Sequence, residues 1–263
     1  MRYTHGHAES VLRSHRSRTA ENSAAYLLPY LRPEHRLLDV GAGPGTITAD
    51  LAGLVREVLA VEISEEAAEI TRAGLRERGV TRAEVVVADV HALDLDDDAF
   101  DVVHAHQVLQ HVADPVAALR EMARVTRPGG VVGIRDSDYA AFAWYPRLPG
   151  LDRWLELYQA AARANGGEPD AGRHLLAWAH AAGLDEVTAT SSTWCFATPE
   201  SRAWWGGMWA ERVTGSALGD QLLRDGYADE AELAEVADAW RAWASHPDGW
   251  ISVPHGELVA VRG

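Results

Sequence analysis

Cysteine is almost absent from this chain. Its single copy, Cys195, excludes an internal disulfide and a cysteine-built zinc centre. No apolar run is long enough to cross a bilayer. The first 25 residues lack the apolar stretch of a secretory signal, which reads as a cytoplasmic protein. Positive charge is scarce: 24 Lys and Arg stand against 39 Asp and Glu, a formal charge of −15. A surface this acidic repels phosphate backbones and anionic membranes, so no nucleic acid and no membrane is expected as a partner. The one basic run, RSHRSR at 13–18, reads as a solvated helix face. Tryptophan is missing from the first 143 residues although the chain holds ten. The later region therefore packs large aromatics and the earlier one does something else.

What is present before Trp144 is an alternation. Ala20, Ala24, Leu27, Leu28 and Leu31 recur at helical spacing, which predicts an amphipathic helix over 17–31, stopped by Pro33. Short apolar strands are expected at Arg36–Val40, Glu57–Ile63, Glu84–Ala88, Phe100–Ala105 and Val131–Arg135, the last after an RPGG turn at 127–130. Helices fall between them, one from Thr46 as N-cap, one capped by Ser64 with Glu65 and Glu66 in its first turn, and one opened by Asp114–Pro115. Apolar strands alternating with helices indicate an α/β fold, a Rossmann-like doubly wound parallel sheet covered on both faces. Beyond Tyr145 the pattern predicts helices at 151–164 and 173–182, a strand at Asp185–Phe196, a helical insertion from Pro199 to about Ser245, and a last strand at Ile251–Val261.

The first strand breaks into VGAGPGT, with glycines at Gly41, Gly43 and Gly45. Glycines there permit a tight turn and let backbone N–H groups approach a ligand closely. The dinucleotide pattern places its third small residue one position later, where this chain has Thr46, and no Walker lysine follows. Alone, the turn could be no more than a strand-to-helix connection. Three acids change its weight. Asp39 precedes the turn, Glu62 closes the second strand, and Asp89 follows the third. Glu62 stands about 20 residues on, where such folds grip a ribose diol. Negative groups at all three points suit a cationic, phosphate-free adenosine ligand and disfavour a pyrophosphate.

These motifs resemble those of the class I S-adenosylmethionine-dependent methyltransferases, and among them the small-molecule branch near the ubiquinone and menaquinone methyltransferases. The resemblance rests on LLDVGAGPGTITADLA, VLAVEIS, VVVADVHALDL, FDVVHAHQVLQHVADP and RVTRPGGVVGIRDSDY, in that order over 36–139. It implies a seven-stranded sheet with the last strand antiparallel, and S-adenosylmethionine as cofactor. It implies cofactor contacts from Gly41, Gly43, Glu62, Ile63, Asp89, Val90, His106 and Gln107, beside Asp39. A closing N-terminal helix would supply Arg18 to the cofactor and Tyr3 to the substrate. One domain over 1–263 is expected, with an N-terminal helical cap at 1–35, a cofactor core at 36–139, and substrate-side helices and the last two strands at 140–263.

The expected reaction is methyl transfer to an O, N or C atom of a small aromatic or hydrophobic metabolite. His111, after the fourth strand, is the candidate base, because an imidazole titrates near neutrality. His104 reads as structural. Asp136 and Asp138, after the fifth strand, are candidates to orient a hydroxyl or amine, Asp136 in catalysis and Asp138 in substrate binding. Trp144, Tyr145, Trp204 and Trp205 are candidates to wall an apolar pocket. His5/His7 and His104/His106 have ligand-like spacing without a third and fourth partner, so no metal is expected. Cys195 reads as an inert buried thiol. Two alternatives stay open on the residues alone: a nicotinamide-dependent oxidoreductase, and a non-catalytic S-adenosylmethionine-binding protein.

Overall fold

The structure is a computed structural model and describes residues 9–263, with side chains from Val11 onward. In chain order the elements are α1 (Glu9–Arg16), α2 (Ala20–Ser23), β1 (Arg36–Val40), α3 (Thr46–Ala52), β2 (Glu57–Glu62), α4 (Glu65–Glu77), β3 (Ala83–Val87) and β4 (Phe100–His106). Then come α5 (Pro115–Val125), β5 (Thr126–Ser137), β6 (Ala143–Tyr145), α6 (Pro149–Ala164), α7 (Leu175–Ala182), β7 (Glu186–Phe196), α8 (Pro199–Gly215), α9 (Ala217–Arg224), α10 (Glu230–Ser245) and β8 (Trp250–Val261). They form two compact units. The larger comprises His15–Asp136, Ala171–Ser192 and His255–Gly263; the smaller comprises the segment up to Ser14, Ser137–Asp170 and Thr193–Pro254.

The larger unit is built on a sheet of order β3-β2-β1-β4-β5-β8, with β7 paired to β8. The pairs β1–β2, β1–β4, β2–β3 and β4–β5 are parallel, and β8 runs antiparallel to β5. β1, β2 and β4 are buried along almost their whole length because helices cover both faces, whereas β3 and β7 are more open. One buried cluster joins Leu38, Val40, Val103 and Ile134 to Leu119 and Met122 of α5 and Leu175 of α7. The other joins Leu37, Val102 and Val131 to Leu27, Ile47 and Leu51. Strand order reverses between β1 and β4, so the carboxyl ends of these strands form the crevice where ligands bind in such sheets.

Several expected boundaries move for local reasons. Residues 17–31 are not one helix. Thr19 and Asn22 form a capping box that starts the four-residue α2, Ala24 ends it, and Leu28–Tyr30 is a separate 3-10 turn with Pro29 inside. The apolar spacing was nonetheless meaningful, since Ala20, Ala24, Leu27 and Leu31 are all buried. The RPGG segment is not a free turn. Gly129 N–H donates to the Arg262 carbonyl (2.7 Å) and Arg262 N–H to that of Gly130 (2.9 Å), so the segment joins β5. Asp136 lies within β5, which runs on to Ser137, not after it.

The smaller unit is a helical bundle of α6, α8, α9 and α10 with the short β6, which pairs antiparallel with Trp250–Ser252 of β8. β6 is an eighth strand beyond the seven anticipated. The core of this unit is aromatic. Trp154 stands edge-on to Trp209 (4.6 Å between centroids) and to Trp240 (4.8 Å), and Tyr139 stacks on Tyr158 (4.0 Å). Tryptophan clusters late in the chain because this bundle packs almost all of it.

Candidate functional site

The glycine turn is shaped by positive φ at Gly41 (+70°), Gly43 (+57°) and Gly45 (+71°), where side chains other than glycine are strained. A Cβ on Gly41 would also lie 2.5 Å from Val108 Cγ2. Gly41 N–H donates to the Val61 carbonyl (2.8 Å), fixing the turn to β2. Gly45, not Thr46, occupies the N-cap position of α3. The Thr46 hydroxyl instead donates to the His15 carbonyl (3.3 Å). α4 grips the turn from below. Thr71 Oγ1 donates to the Gly43 carbonyl (2.6 Å), and a Cβ on Gly74 would lie 2.0 Å from the Pro44 carbonyl oxygen.

The three acids have three different environments. Asp39 is an inner group: Thr48 Oγ1 donates to one oxygen (2.6 Å) and His104 Nδ1 to the other (2.8 Å), with all three side chains buried. It holds α3 and β4 to β1, where a direct contact with a cationic ligand was anticipated. Glu62 is buried, and its Oε1 accepts the Gly43 N–H at 2.5 Å. Burial pushes its carboxyl up to about 7, against the pull of that hydrogen bond. Asp89 is exposed and accepts from the backbone and ring of His91, which hold its carboxyl below the ordinary value. Ile63, beside Glu62, is 65% exposed, unusual for isoleucine, whereas Val90 is buried.

At the end of β4 stands a polar group drawn from four elements. Gln107 has a left-handed backbone (φ +56°), and its N–H donates to the Arg135 carbonyl (2.7 Å). Its Oε1 accepts from Arg18 (2.6 Å), and its Nε2 meets His255 Nε2 at 2.8 Å. Arginine only donates, which fixes the amide oxygen toward Arg18 and makes His255 Nε2 an acceptor, with its proton on Nδ1. His106 is buried, and desolvation together with Arg18 and Arg135 holds its ring neutral. Asp136 is fully buried and accepts the N–H groups of Leu109 (3.3 Å) and Gln110 (3.1 Å), the turn that carries His111. Burial pushes the Asp136 carboxyl up to about 7. Burial and Arg18 push His111 down to about 3.

The remaining predicted residues belong to the smaller unit, apart from Tyr3, which lies outside the described residues. Asp138 is buried, and its N–H donates to the Pro254 carbonyl (3.1 Å). Trp144 and Trp205 are core: Trp205 stacks on Phe196 (4.4 Å) and Trp144 packs edge-on to Trp154 (6.4 Å). Tyr145 and the partly exposed Trp204 keep ring surface open. Cys195 is exposed on β7, not buried; neighbouring residues of that strand are largely open to solvent.

Comparison with known proteins decides the family. A methyltransferase-domain model matches residues 38–134. An uncharacterized methyltransferase of Schizosaccharomyces pombe is 35% identical over 267 residues, covering 98% of this chain and 95% of its own length. This chain belongs to the S-adenosylmethionine-dependent methyltransferases. The fold of the YcgJ protein of Bacillus subtilis is similar, with a TM-score of 0.62, 19% identity, and coverage of 92% of this chain and 98% of that one. So is that of a Haemonchus contortus phosphoethanolamine N-methyltransferase bound to S-adenosylhomocysteine (TM-score 0.58, 16% identity, 91% of this chain and 52% of that one).

The methyltransferase's own residues fit S-adenosylmethionine. The space that a Cβ on Gly43 would enter holds only His15 Nδ1, at 4.0 Å, so backbone can lie directly against a ligand. Glu62 places a buried carboxyl at the turn, acceptor chemistry of the kind a ribose diol needs. Ile63 offers an exposed apolar surface of the kind an adenine ring covers. The matching residues missed in the sequence are His15, Thr71, Gly74, Gln110 and His255. Thr71 and Gly74 had a detectable signal, a small pair in the helix after β2. His255 had none, because only the sheet brings it to Gln107 across 148 positions.

Proposed function

We propose that this methyltransferase acts on a small organic acceptor, transferring the cofactor's methyl group to an O, N or C atom. The observation that carries this reading is the group at and just beyond the end of β4, where His106, Gln107, Gln110 and His111 are uncharged hydrogen-bonding side chains, in a chain of charge −15. Neutral donors and acceptors suit a small molecule, and the acidic surface opposes a nucleic acid.

When bound, S-adenosylmethionine supplies a methyl carbon activated by positive sulfur. The chain's part is alignment and desolvation. Glu62, Asp89 and the glycine turn hold the nucleoside end, and Arg18 and Gln107 close over the end of β4. His111 is a poor base at about 3, so its role is to orient the acceptor through a hydrogen bond. Asp136, at about 7, is matched to a proton released near neutrality, and it also holds the turn bearing His111.

The test combines binding and rate. Calorimetry should show S-adenosylhomocysteine bound and NADH not bound; the reverse would sink the reading. In a radiolabelled-methyl assay over phenols, amines and enolisable acids, His111→Ala should lower turnover about tenfold, the loss of one orienting hydrogen bond, with cofactor affinity unchanged. At saturating cofactor, where the effect of Glu62 on affinity drops out, the wild-type pH–rate profile should show one limb near 7, from Asp136. That limb should vanish in Asp136→Asn and persist in His111→Ala. A limb lost with His111 would assign it the base role.

A further inference from the structure

The turn after β4 contains a buried amide whose oxygen the reading above gives no role. Gln110 is 2% exposed. Its backbone is pinned by the Asp136 carboxylate (3.1 Å), so the side chain has little freedom to withdraw. The amide Nε2 meets His111 Nε2 at 3.0 Å. An amide nitrogen only donates, so His111 Nε2 is the acceptor and its proton sits on Nδ1. The imidazole's accepting nitrogen is therefore already occupied, which agrees with its weak basicity. The amide oxygen is different. Gln110 Oε1 is sealed from solvent and meets no donor among the described residues. A buried carbonyl without a donor is unfavourable, and folded proteins rarely leave one. A ligand that brings a donor removes the penalty; a ligand of the same shape without one does not.

We propose that Gln110 determines acceptor specificity: its buried amide oxygen receives a hydrogen bond from an O–H or N–H group of the methyl acceptor, while its amide nitrogen holds His111 in the Nδ1–H tautomer. The proposal rests on the small-molecule methyltransferase reading and narrows it to acceptors that carry a hydroxyl or an N–H at the reacting end. Asp136 spends its oxygens on the backbone of Leu109 and Gln110, and so keeps the amide in place.

The test uses three small aromatic probes: phenol and aniline, which carry a donor, and anisole, which does not. Each is titrated into the full chain, with and without saturating S-adenosylhomocysteine. The readouts are the Gln110 side-chain amide resonances and the ring nitrogens of His111. Phenol and aniline should shift the Gln110 amide and bind about tenfold more tightly than anisole, as one hydrogen bond requires. His111 should report Nδ1–H. In Gln110→Leu the preference should fall to about onefold, the arithmetic of a lost hydrogen bond, with S-adenosylhomocysteine affinity retained as proof of folding. Gln110→Glu, which keeps the acceptor oxygen, should retain the preference. Equal affinity for phenol and anisole, a preference that survives in Gln110→Leu, an Nε2–H tautomer, or no response to any probe would each overturn the proposal. Failure to bind S-adenosylhomocysteine would instead strike the methyltransferase reading, and the probe series is read in either case.

Discussion

At the scale of single residues, Glu62 shows how a ligand site stores unfavourable burial. Its carboxyl is raised from 4.5 to about 7 because desolvation outweighs the hydrogen bond from Gly43. A raised acid favours the fold most when protonated. Its contribution is therefore complete below about 4.5 and is lost as pH rises through about 7. Glu62→Gln keeps an oxygen for Gly43 and cannot ionise. Measured without cofactor above about pH 7, it should be more stable than wild type by up to about 3 kcal/mol, at 1.36 kcal/mol per pKa unit. The two should converge as pH falls below 5, which urea titrations at several pH values would show. The same variant should lose S-adenosylhomocysteine affinity, since the ribose hydroxyls favour the carboxylate. Wild-type affinity should rise between about pH 6 and about pH 8 as Glu62 ionises. Flat affinity over that range would remove Glu62 from the ribose contact.

At the scale of elements, the glycine turn depends on the helix beneath it. Gly→Ala in a helix interior ordinarily stabilises by about 1 kcal/mol. Gly74 should reverse that sign, because the added methyl would meet the Pro44 carbonyl at 2.0 Å and push α4 away from the turn. Gly74→Ala should destabilise by about 1–3 kcal/mol and weaken S-adenosylhomocysteine binding, whereas Gly79→Ala, at the open end of α4, should leave binding unchanged. Equal effects on binding would show that the close approach to Pro44 does not govern the turn. Element types were legible here because periodicity and caps are local. Asp114 and Pro115 start α5, and Ser64 starts α4, as their side chains predict. Residues 17–31 were misread for a local reason too, since a capping box at Thr19 and Asn22 outweighed the apolar spacing. The segment at 127–130 was misread for a distant one, its pairing with Arg262.

At the scale of the whole molecule, two units divide the work by composition. The larger carries the glycine turn and acids; the smaller carries nine of ten tryptophans, Trp178 being the exception. Trp154 is 1% exposed and touches Trp209 and Trp240, so Trp154→Ala should cost about 3–5 kcal/mol in urea denaturation. A loss under about 1 kcal/mol would mean that the cluster repacks and fills the space. Packing of this kind also explains why Trp144 and Trp205 are core residues when their aromatic character alone suggested a pocket wall.

The sequence by itself determined the fold class, the glycine turn, and the acids at successive strand ends, because each is written in residues close together along the chain. It also determined the charge, and with it the partners that electrostatics disfavours. Tertiary structure alone decided what each acid does. Asp39 turned inward to His104 and Thr48, Glu62 stayed at the turn, and Asp136 became the anchor of Gln110 and His111. Those outcomes depend on desolvation and on partners up to 65 positions away, and neither quantity is carried by local spacing.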